Sequence, residues 1–276
     1  MNILFFGDIF GNKALDETIH FIQTTDEGKL AEIKIANVEN AAEGFGITEA
    51  QYNKLIKAGF DMLSGGNHIW DKKEIFHFIT KSKIARPCNL PSGTPGSGWQ
   101  LINKNINNSA HPLKIGLINV LGRVFMNITA LECPFRACDK AIEELKNQGA
   151  DLIIVDIHAE TTSEKNALAH YLDGRVSAIV GTHTHIPTAD ERILPKGTAY
   201  ITDIGACASQ ESVIGMSTES ILPKFLTGLP SRGEVSKKPI KLNAVNISFD
   251  LSQPSSGILK ANRIKRISQY EGKLII

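Results

Sequence analysis

Ile3-Leu4-Phe5-Phe6-Gly7-Asp8 opens the chain with an apolar run that stops on a carboxylate. An unbroken apolar run suits a strand covered on both faces, because a half-exposed strand alternates apolar with polar side chains. A helical pattern follows over Ala14 to Ile22, and a second apolar run over Ile33 to Val38. The alternation continues downstream. Thr48 is placed to cap a helix reaching about Ala58, with Gly59 as its stop. Asp61 to Ser64 reads as a short strand entering Gly65-Gly66, and Asp71 with Glu74 as a D-x-x-E cap for the next helix. Pro87 to Gly98, with three Pro and three Gly, reads as a long loop. Trp99 to Asn103 and Leu113 to Val120 read as strands joined by a polar insert around Asn105 to Ser109. Pro134 to Gln148 is helical, Leu152 to Ile157 a buried strand, Ser163 to Leu172 a helix, and Val176 to Val180 and Ala199 to Ile204 further strands. Beyond Pro230, Val245, Ile247 and Phe249 alternate with polar residues, as do later segments up to Ile276, which predicts edge strands of an antiparallel or mixed sheet. The pattern is α/β turning to α+β, in one domain over residues 1–276.

Composition narrows the classes. The 276 residues carry 30 Lys+Arg against 29 Asp+Glu, and a net charge of +1 excludes a generally basic nucleic-acid coat. A hydrophobic content of 42% supplies a core, and 21% charged residues oppose global disorder. Cys88, Cys133, Cys138 and Cys207 do not make a disulfide framework, and Cys133/Cys138 lacks the second pair a structural zinc site needs. The first residues lack a basic region, and no stretch approaches the ~18 apolar residues of a membrane span. The expectation is a soluble cytoplasmic protein without a membrane partner.

Polar clusters share one placement, directly after the apolar strands. Asp8 follows the first, Glu39 and Asn40 the second, Asn67 and His68 the third, His158 the strand from Leu152, and His183 and His185 the strand from Val176. In open α/β sheets ligand sites lie at the carboxyl ends of strands, so these residues converge. Taken singly, each has a plainer use: Asp8 as a helix cap, Glu39-Asn40 as a turn, Asn67-His68 as a tight turn, His158 as a core histidine. Alternate residues of an extended segment point the same way, so His183 and His185 are expected to reach one site. His20, His77, His111 and His170 fall in helical patterns or a polar loop and are expected to be surface or packing residues. Carboxylates, amides and imidazoles together exceed what one tetrahedral zinc needs and suit divalent Mn, Fe or Zn. A bridging carboxylate makes two ions possible, and two ions ~3.5–4 Å apart serve phosphate-ester hydrolysis. Arg123, after Gly122, is the arginine best placed to grip a phosphate, ahead of Arg86, Arg175 and Arg192, and Trp70 is a candidate for packing or base stacking. Lys260, Arg263, Lys265 and Arg266 read as a solvated edge strand rather than an RNA-binding patch.

Gly7-Asp8-Ile9-Phe10-Gly11, Glu39-Asn40-Ala41-Ala42, Gly66-Asn67-His68-Ile69-Trp70-Asp71, Asp156-Ile157-His158-Ala159-Glu160 and Gly181-Thr182-His183-Thr184-His185 resemble, in order and spacing, the YmdB-like branch of the calcineurin-like metallophosphoesterases. The resemblance runs from residue 1 to about 230 and weakens beyond 235. It implies a four-layer αββα sandwich with mixed sheets and two divalent metal ions, Fe or Mn ahead of Zn. Asp8 and His185 would hold the first ion with Asn40 near it, Asn67, His158 and His183 the second, and Glu39 both. His68 would be the catalytic side chain beside the phosphate. Phe10 and Glu39 stand where most metallophosphoesterases have His and Asp, and both departures occur in this branch. The implied activity is hydrolysis of small cyclic nucleotides such as 2′,3′-cyclic AMP by a hydroxide bridging the ions. Phosphomonoesterase or nuclease action on the same site, or a non-catalytic nucleotide- or RNA-binding regulator, are the alternatives, and a homo-oligomer is expected.

Overall fold

The computed structural model describes residues 1–107, 109, 111–252 and 257–275; the expectations that included Asn108 and Ile276 lie, at those positions, outside the described residues. In chain order the first sheet is begun by β1 (Asn2–Phe6), β2 (Asp8–Ile9), β3 (Ile33–Asn37), β4 (Met62–Ser64) and β5 (Ile84–Ala85). The second holds β6 (Trp99–Lys104), β7 (Leu113–Leu121), β8 (Leu152–His158), β9 (Ala178–Thr182), β10 (Arg192–Ile193) and β11 (Ala199–Ile201). The chain returns to the first with β12 (Ala206–Ser209), β13 (Ile240–Phe249), β14 (Ala261–Tyr270) and β15 (Lys273–Leu274). The main order is β15-β14-β13-β1-β3-β4-β5 in one sheet and β10-β11-β9-β8-β7-β6 in the other. Strands β1, β3, β4 and β5 are parallel, as are β7, β8, β9 and β11, while β13, β14, β6 and β10 pair antiparallel, so both sheets are mixed.

The helices are α1 (Gly11–Thr24), α2 (Asp26–Leu30), α3 (Glu49–Ala58), α4 (Ile75–Phe78), α5 (Pro134–Asn147), α6 (Thr162–Leu172) and α7 (Thr218–Thr227). Three apolar layers explain the stacking. Leu4 and Phe6 of β1 pack outward with Leu15 and Phe21 of α1 and Leu55 of α3. Ile3 and Phe5 face inward against Leu117, Ile154 and Val180 of the second sheet. Ile153, Val155 and Ile157 of β8 then pack outward with Ile142 of α5 and Leu168 of α6. The result is helix, sheet, sheet, helix. Fully burying such a side chain stabilises by roughly 1.5–3 kcal/mol, so central strands buried on both faces hold the layers together.

Two buried faces leave register underdetermined by apolar pattern, since a one-residue slip exchanges one apolar face for another. The end of β1 resolves this. Gly7 N–H donates to Asn243 O at 3.1 Å, and a Cβ at Gly7 would lie 1.8 Å from Gly205 O, so only glycine fits there. That contact fixes where Asp8 begins.

The tail differs from expectation. β13 is an inner strand between β1 and β14, not an edge. Its Val245, Ile247 and Phe249 enter the layer between sheets, and Leu242 and Ala244 the outer layer. The polar Asn243 is tolerated because its amide donates to Ala206 O at 2.7 Å and its carbonyl accepts from Ser268 at 3.0 Å. Thr48 and Gln51 form the reciprocal cap of α3, and Gly59 ends it at φ 107°. Glu74, by contrast, makes no side-chain cap for α4, and Asp71 is engaged elsewhere.

Candidate metal centre

Parallel strands place their carboxyl ends at one edge of each sheet, and stacking brings the two edges together. Asn37 at the end of β3 donates to Asp156 Oδ2 of β8 at 3.0 Å, tying the edges. Asp8, Glu39, Asn40, Asn67, His158, His183 and His185 all gather there.

His158 Nε2 is the centre of one group. It lies 2.9 Å from Asn67 Oδ1, 3.0 Å from Glu39 Oε1 and 3.0 Å from His183 Nδ1. One ring N–H carries one proton and cannot satisfy three such neighbours. Gly66 makes the crowding possible, because a Cβ there would stand 2.1 Å from Glu39 Oε2 and 2.7 Å from His158 Nε2. Glu39, His158 and His183 offer ligand atoms within 4.8 Å of one another. The buried Asp8 Oδ1 has no hydrogen-bond partner among the described residues. Converging lone pairs, an orphaned carboxylate oxygen and a mixed carboxylate, amide and imidazole set fit divalent metal ions.

The network behind His158 sets its tautomer. Thr182 Oγ1 donates its one proton to Asp156 Oδ1 at 2.7 Å, so it accepts from His158 Nδ1 at 2.8 Å. In neutral His158 the lone pair is therefore on Nε2, facing the cluster.

The second group is sparser. Asp8 Oδ2 accepts the His183 N–H at 3.1 Å, and His185 Nε2 sits 3.2 Å from Asn40 Oδ1. Asn40 is held by its amide donating to Gly44 O at 2.8 Å, and His185 Nδ1 lies 2.8 Å from Ile214 O. The expectation that His183 and His185 share one extended segment is corrected here. β9 ends at Thr182, and both histidines adopt left-handed backbone, φ 98° and 66°. They turn to different neighbours. Such conformations cost ~1–3 kcal/mol each and persist where the surroundings over-determine them. Asp203 does so by accepting from Thr184 N and Oγ1 at 3.2 and 2.8 Å, from Gly205 N at 2.8 Å and from the buried Lys165 Nζ at 2.6 Å.

Electrostatics divide the site likewise. Burial raises the Asp8 carboxyl to about 6, against the pull of His158 and His185. Burial also penalises the Glu39 carboxylate, but His158 outweighs it and Glu39 falls to about 2. Burial opposes His158 protonation too, yet Glu39, Asp8 and Asp156 push it up to about 9. Burial and the neighbouring His158 charge push His183 down to about 3.

His68 stands beside the cluster. Its N–H donates to Glu39 Oε2 at 2.8 Å, its Nδ1 lies 2.8 Å from Asp71 Oδ2, and Phe45 packs edge-on against the ring with centroids 5.0 Å apart. Asp71, expected to cap a helix, instead orients this imidazole. Above it opens a pocket of about 350 Å³ whose apolar wall is Phe10, Phe45, Ile214 and Met216.

Other expectations separate. Arg123 is absent from the pocket lining, and its backbone N–H is bound by Glu164. Arg86 is held by the carbonyls of Pro87, Thr94 and Pro95, Arg175 by Asp139, and Arg192 by Asp190. Trp70 stacks on Phe76 against the outer core. His20, His77, His111 and His170 are exposed, away from the site. Sequence reasoning missed Glu160, 3.2 Å from His183 Nε2, although its place two residues after His158 was a usable signal. Phe45 carried no signal, since loop geometry alone brings it to His68.

Two mixed sheets between helical layers, with these donors at their strand ends, define a fold of the metallophosphoesterase type. The chain belongs to the YmdB-like protein family, whose model matches residues 4–267. It is 42% identical over 268 residues to the 2′,3′-cyclic-nucleotide 2′-phosphodiesterase of Bacillus subtilis strain 168, spanning 97% of this chain and 96% of that one. Among solved structures, it is similar to a hypothetical protein from Thermus thermophilus, with 37% identity, TM-score 0.84 and coverage of 98% and 100%. It is also similar to a novel phosphatase from Mycoplasma pneumoniae, with 34% identity, TM-score 0.87 and coverage of 98% and 93%.

Proposed function

We propose that the protein is a cytoplasmic, single-domain metal-dependent phosphodiesterase that hydrolyses 2′,3′-cyclic nucleotides at the 2′ ester. The observation that carries this reading is the three-way convergence on His158 Nε2 beside a pocket with one polar and one apolar wall. The name of the 42% identical relative supports the substrate. Asp8, His185 and Asn40 would hold one divalent ion, Asn67, His158 and His183 a second, and Glu39 both, with Fe or Mn as the metal. Such ions polarise the phosphoryl oxygens and supply a hydroxide nucleophile at neutral pH.

The chain's own residues do the rest. Thr182 and Asp156 keep the His158 lone pair turned inward. Asp71 holds the His68 ring at Nδ1, which leaves Nε2 to donate to the phosphate and to protonate the departing ribose 2′ oxygen. Phe10, Phe45, Ile214 and Met216 offer the apolar surface on which a base can lie. Exposed Leu222, Phe225 and Leu226 on α7 support a second copy of the chain as partner. Among the described residues no helix is long and apolar enough to cross a membrane.

The test is hydrolysis of 2′,3′-cyclic AMP, bis-p-nitrophenyl phosphate and p-nitrophenyl phosphate with added Mn²⁺ or Fe²⁺, alongside Asp8→Ala and His68→Ala. Turnover of the two diesters, lost in both variants, is expected. Turnover of the monoester alone would make the protein a phosphatase, and silence on all three with metal bound would leave a binding role.

A further inference from the structure

A second cavity adjoins the pocket above His68. It also measures about 350 Å³ and shares two lining residues, His185 and Ile214, with the first. Both volumes fall within the roughly 300–1,000 Å³ of small-molecule sites. The two hollows therefore lie on either side of one thin partition, which the Ile214 carbonyl and His185 Nδ1 build at 2.8 Å. Their chemistry differs. The first is lined by the metal-binding groups and by aromatics. The second is lined by Ser209, Gln210, Ser212 and Asn243 and by one full cation, Lys241, with no carboxylate.

Lys241 sits on β13 opposite Ala208 of β12, a register that points it to the hollow. Among the described residues, neither its ammonium nor the Gln210 side-chain amide has a hydrogen-bond or ion-pair partner. A cation and an amide donor, free and without an opposing acid, suit a phosphodiester anion. Ile186, Pro187, Ala206 and Ala208 complete the lining, and with Lys241 as its one full charge the hollow is too poor in acids for a metal.

We propose that this second hollow is a subsite for the nucleotide next to the scissile one, so that the preferred substrate is a short RNA ending in a 2′,3′-cyclic phosphate rather than a free mononucleotide. The inference rests on the phosphodiesterase reading above. The terminal cyclic phosphate occupies the metal side of the partition, and the chain's next phosphodiester lies against Lys241 and Gln210. In the reaction water adds across the P–O2′ bond: its oxygen joins phosphorus, a proton goes to O2′, and the RNA leaves with a 3′-phosphate and a free 2′-hydroxyl.

The experiment compares the dinucleotide ApA 2′,3′-cyclic phosphate with 2′,3′-cyclic AMP on metal-loaded wild type, Lys241→Gln and Gln210→Ala, with Lys265→Gln on β14 as control. An exposed charge pair contributes up to about 1 kcal/mol, so Lys241→Gln is expected to lose about fivefold in kcat/KM on the dinucleotide. The mononucleotide rate stays within about twofold, the range of an ordinary surface substitution. Equal kcat/KM on the two substrates, or equal losses on both in Lys241→Gln, overturns the subsite. Absence of turnover on both overturns the parent reading instead. Fluorescence anisotropy with 5′-labelled ApA 3′-phosphate then decides the subsite on its own: weaker binding to Lys241→Gln than to wild type supports it, and equal binding rejects it.

Discussion

The two halves of the site use opposite electrostatics. Around His158, charges are matched: Glu39 and the His158 ring face each other at 3.0 Å, both buried, and each favours the other's charged form. Around Asp8 a buried carboxylate has one oxygen without a hydrogen bond among the described residues, its nearest cation His158 Nδ1 standing 3.8 Å away, and burial raises its pKa. The matched half stabilises the metal-free fold, whereas the unmatched half costs stability until a cation arrives. Donors kept at a folding cost mark a function more clearly than donors that also serve the fold.

The largest expected effect is catalytic and touches neither half's ligands. His68 borders the matched half through its N–H to Glu39, but its ring is held by Asp71 and Phe45. A positioned acid contributes ~10²–10⁴-fold, so His68→Ala should lose that much kcat while elemental analysis finds wild-type metal content. Loss of metal along with rate would make His68 part of the matched half rather than a neighbour of it.

Next come two substitutions of opposite sign in EDTA-treated protein. Glu39 drops from its ordinary 4.5 to about 2 in the fold. Each unit is worth ~1.4 kcal/mol, so its pairing contributes about 3 kcal/mol above pH 4.5, lost as pH falls through about 2. His158 reports the same interaction from the other side, present below 6.5 and lost as pH rises through about 9. Glu39→Gln should therefore unfold at lower urea, with the deficit greatest between pH 4.5 and 6.5. Asp8 runs the other way. Its folded value of about 6 exceeds the ordinary 3.8, so the fold gains as pH falls through 6 and bears ~3 kcal/mol above it. Asp8→Asn should then stabilise the metal-free protein at pH 7 while abolishing turnover. Destabilisation at pH 7 by Asp8→Asn would dissolve the contrast between the halves.

Much of this was legible before the structure. Unbroken apolar runs gave the buried strands because such runs need cover on both faces, and the polar residue after each run lies where the candidate donors gather. The allocation of those residues was not legible. His183 and His185 look like an extended pair, yet both lie in left-handed backbone, held by Asp203 and Lys165 from a different helix and loop. Asp71 looks like a helix cap because D-x-x-E is a local pattern, while its partner His68 competes for the carboxylate through a turn that no periodicity announces. The inner position of β13 was hidden because alternation describes one face of a strand and says nothing of its neighbours.

Metal titrations separate the halves by pH. Ligands bind as deprotonated groups, so a cation at the matched half must displace the proton that His158 keeps up to about 9. Affinity for that ion should weaken ~tenfold per pH unit from 9 downward, with about one proton released, as calorimetry in buffers of different ionisation enthalpy reads out. The unmatched half should stay flat down to about 6, where Asp8 takes up its proton, and weaken only below that. Two affinities falling in parallel across the whole range would mean one coupled site, not two halves.

The smallest expected effect tests how far the orientation of His68 matters. Asp71 is 42% exposed at its side chain and touches no ligand, so its removal should leave the stability of both halves and the metal content unchanged. Outer partners of functional histidines contribute ~10–100-fold, and solvent access places Asp71 at the lower end. Asp71→Asn should thus lower kcat about tenfold with KM for 2′,3′-cyclic AMP unchanged. The amide still accepts a hydrogen bond from Nδ1 but no longer stabilises positive charge on the ring. Most of the loss should therefore vanish with a substrate whose leaving group needs no proton, such as bis-p-nitrophenyl phosphate. An equal loss on both diesters would mean that Asp71 only places the ring, and the proton donor to the ribose oxygen would have to be sought elsewhere.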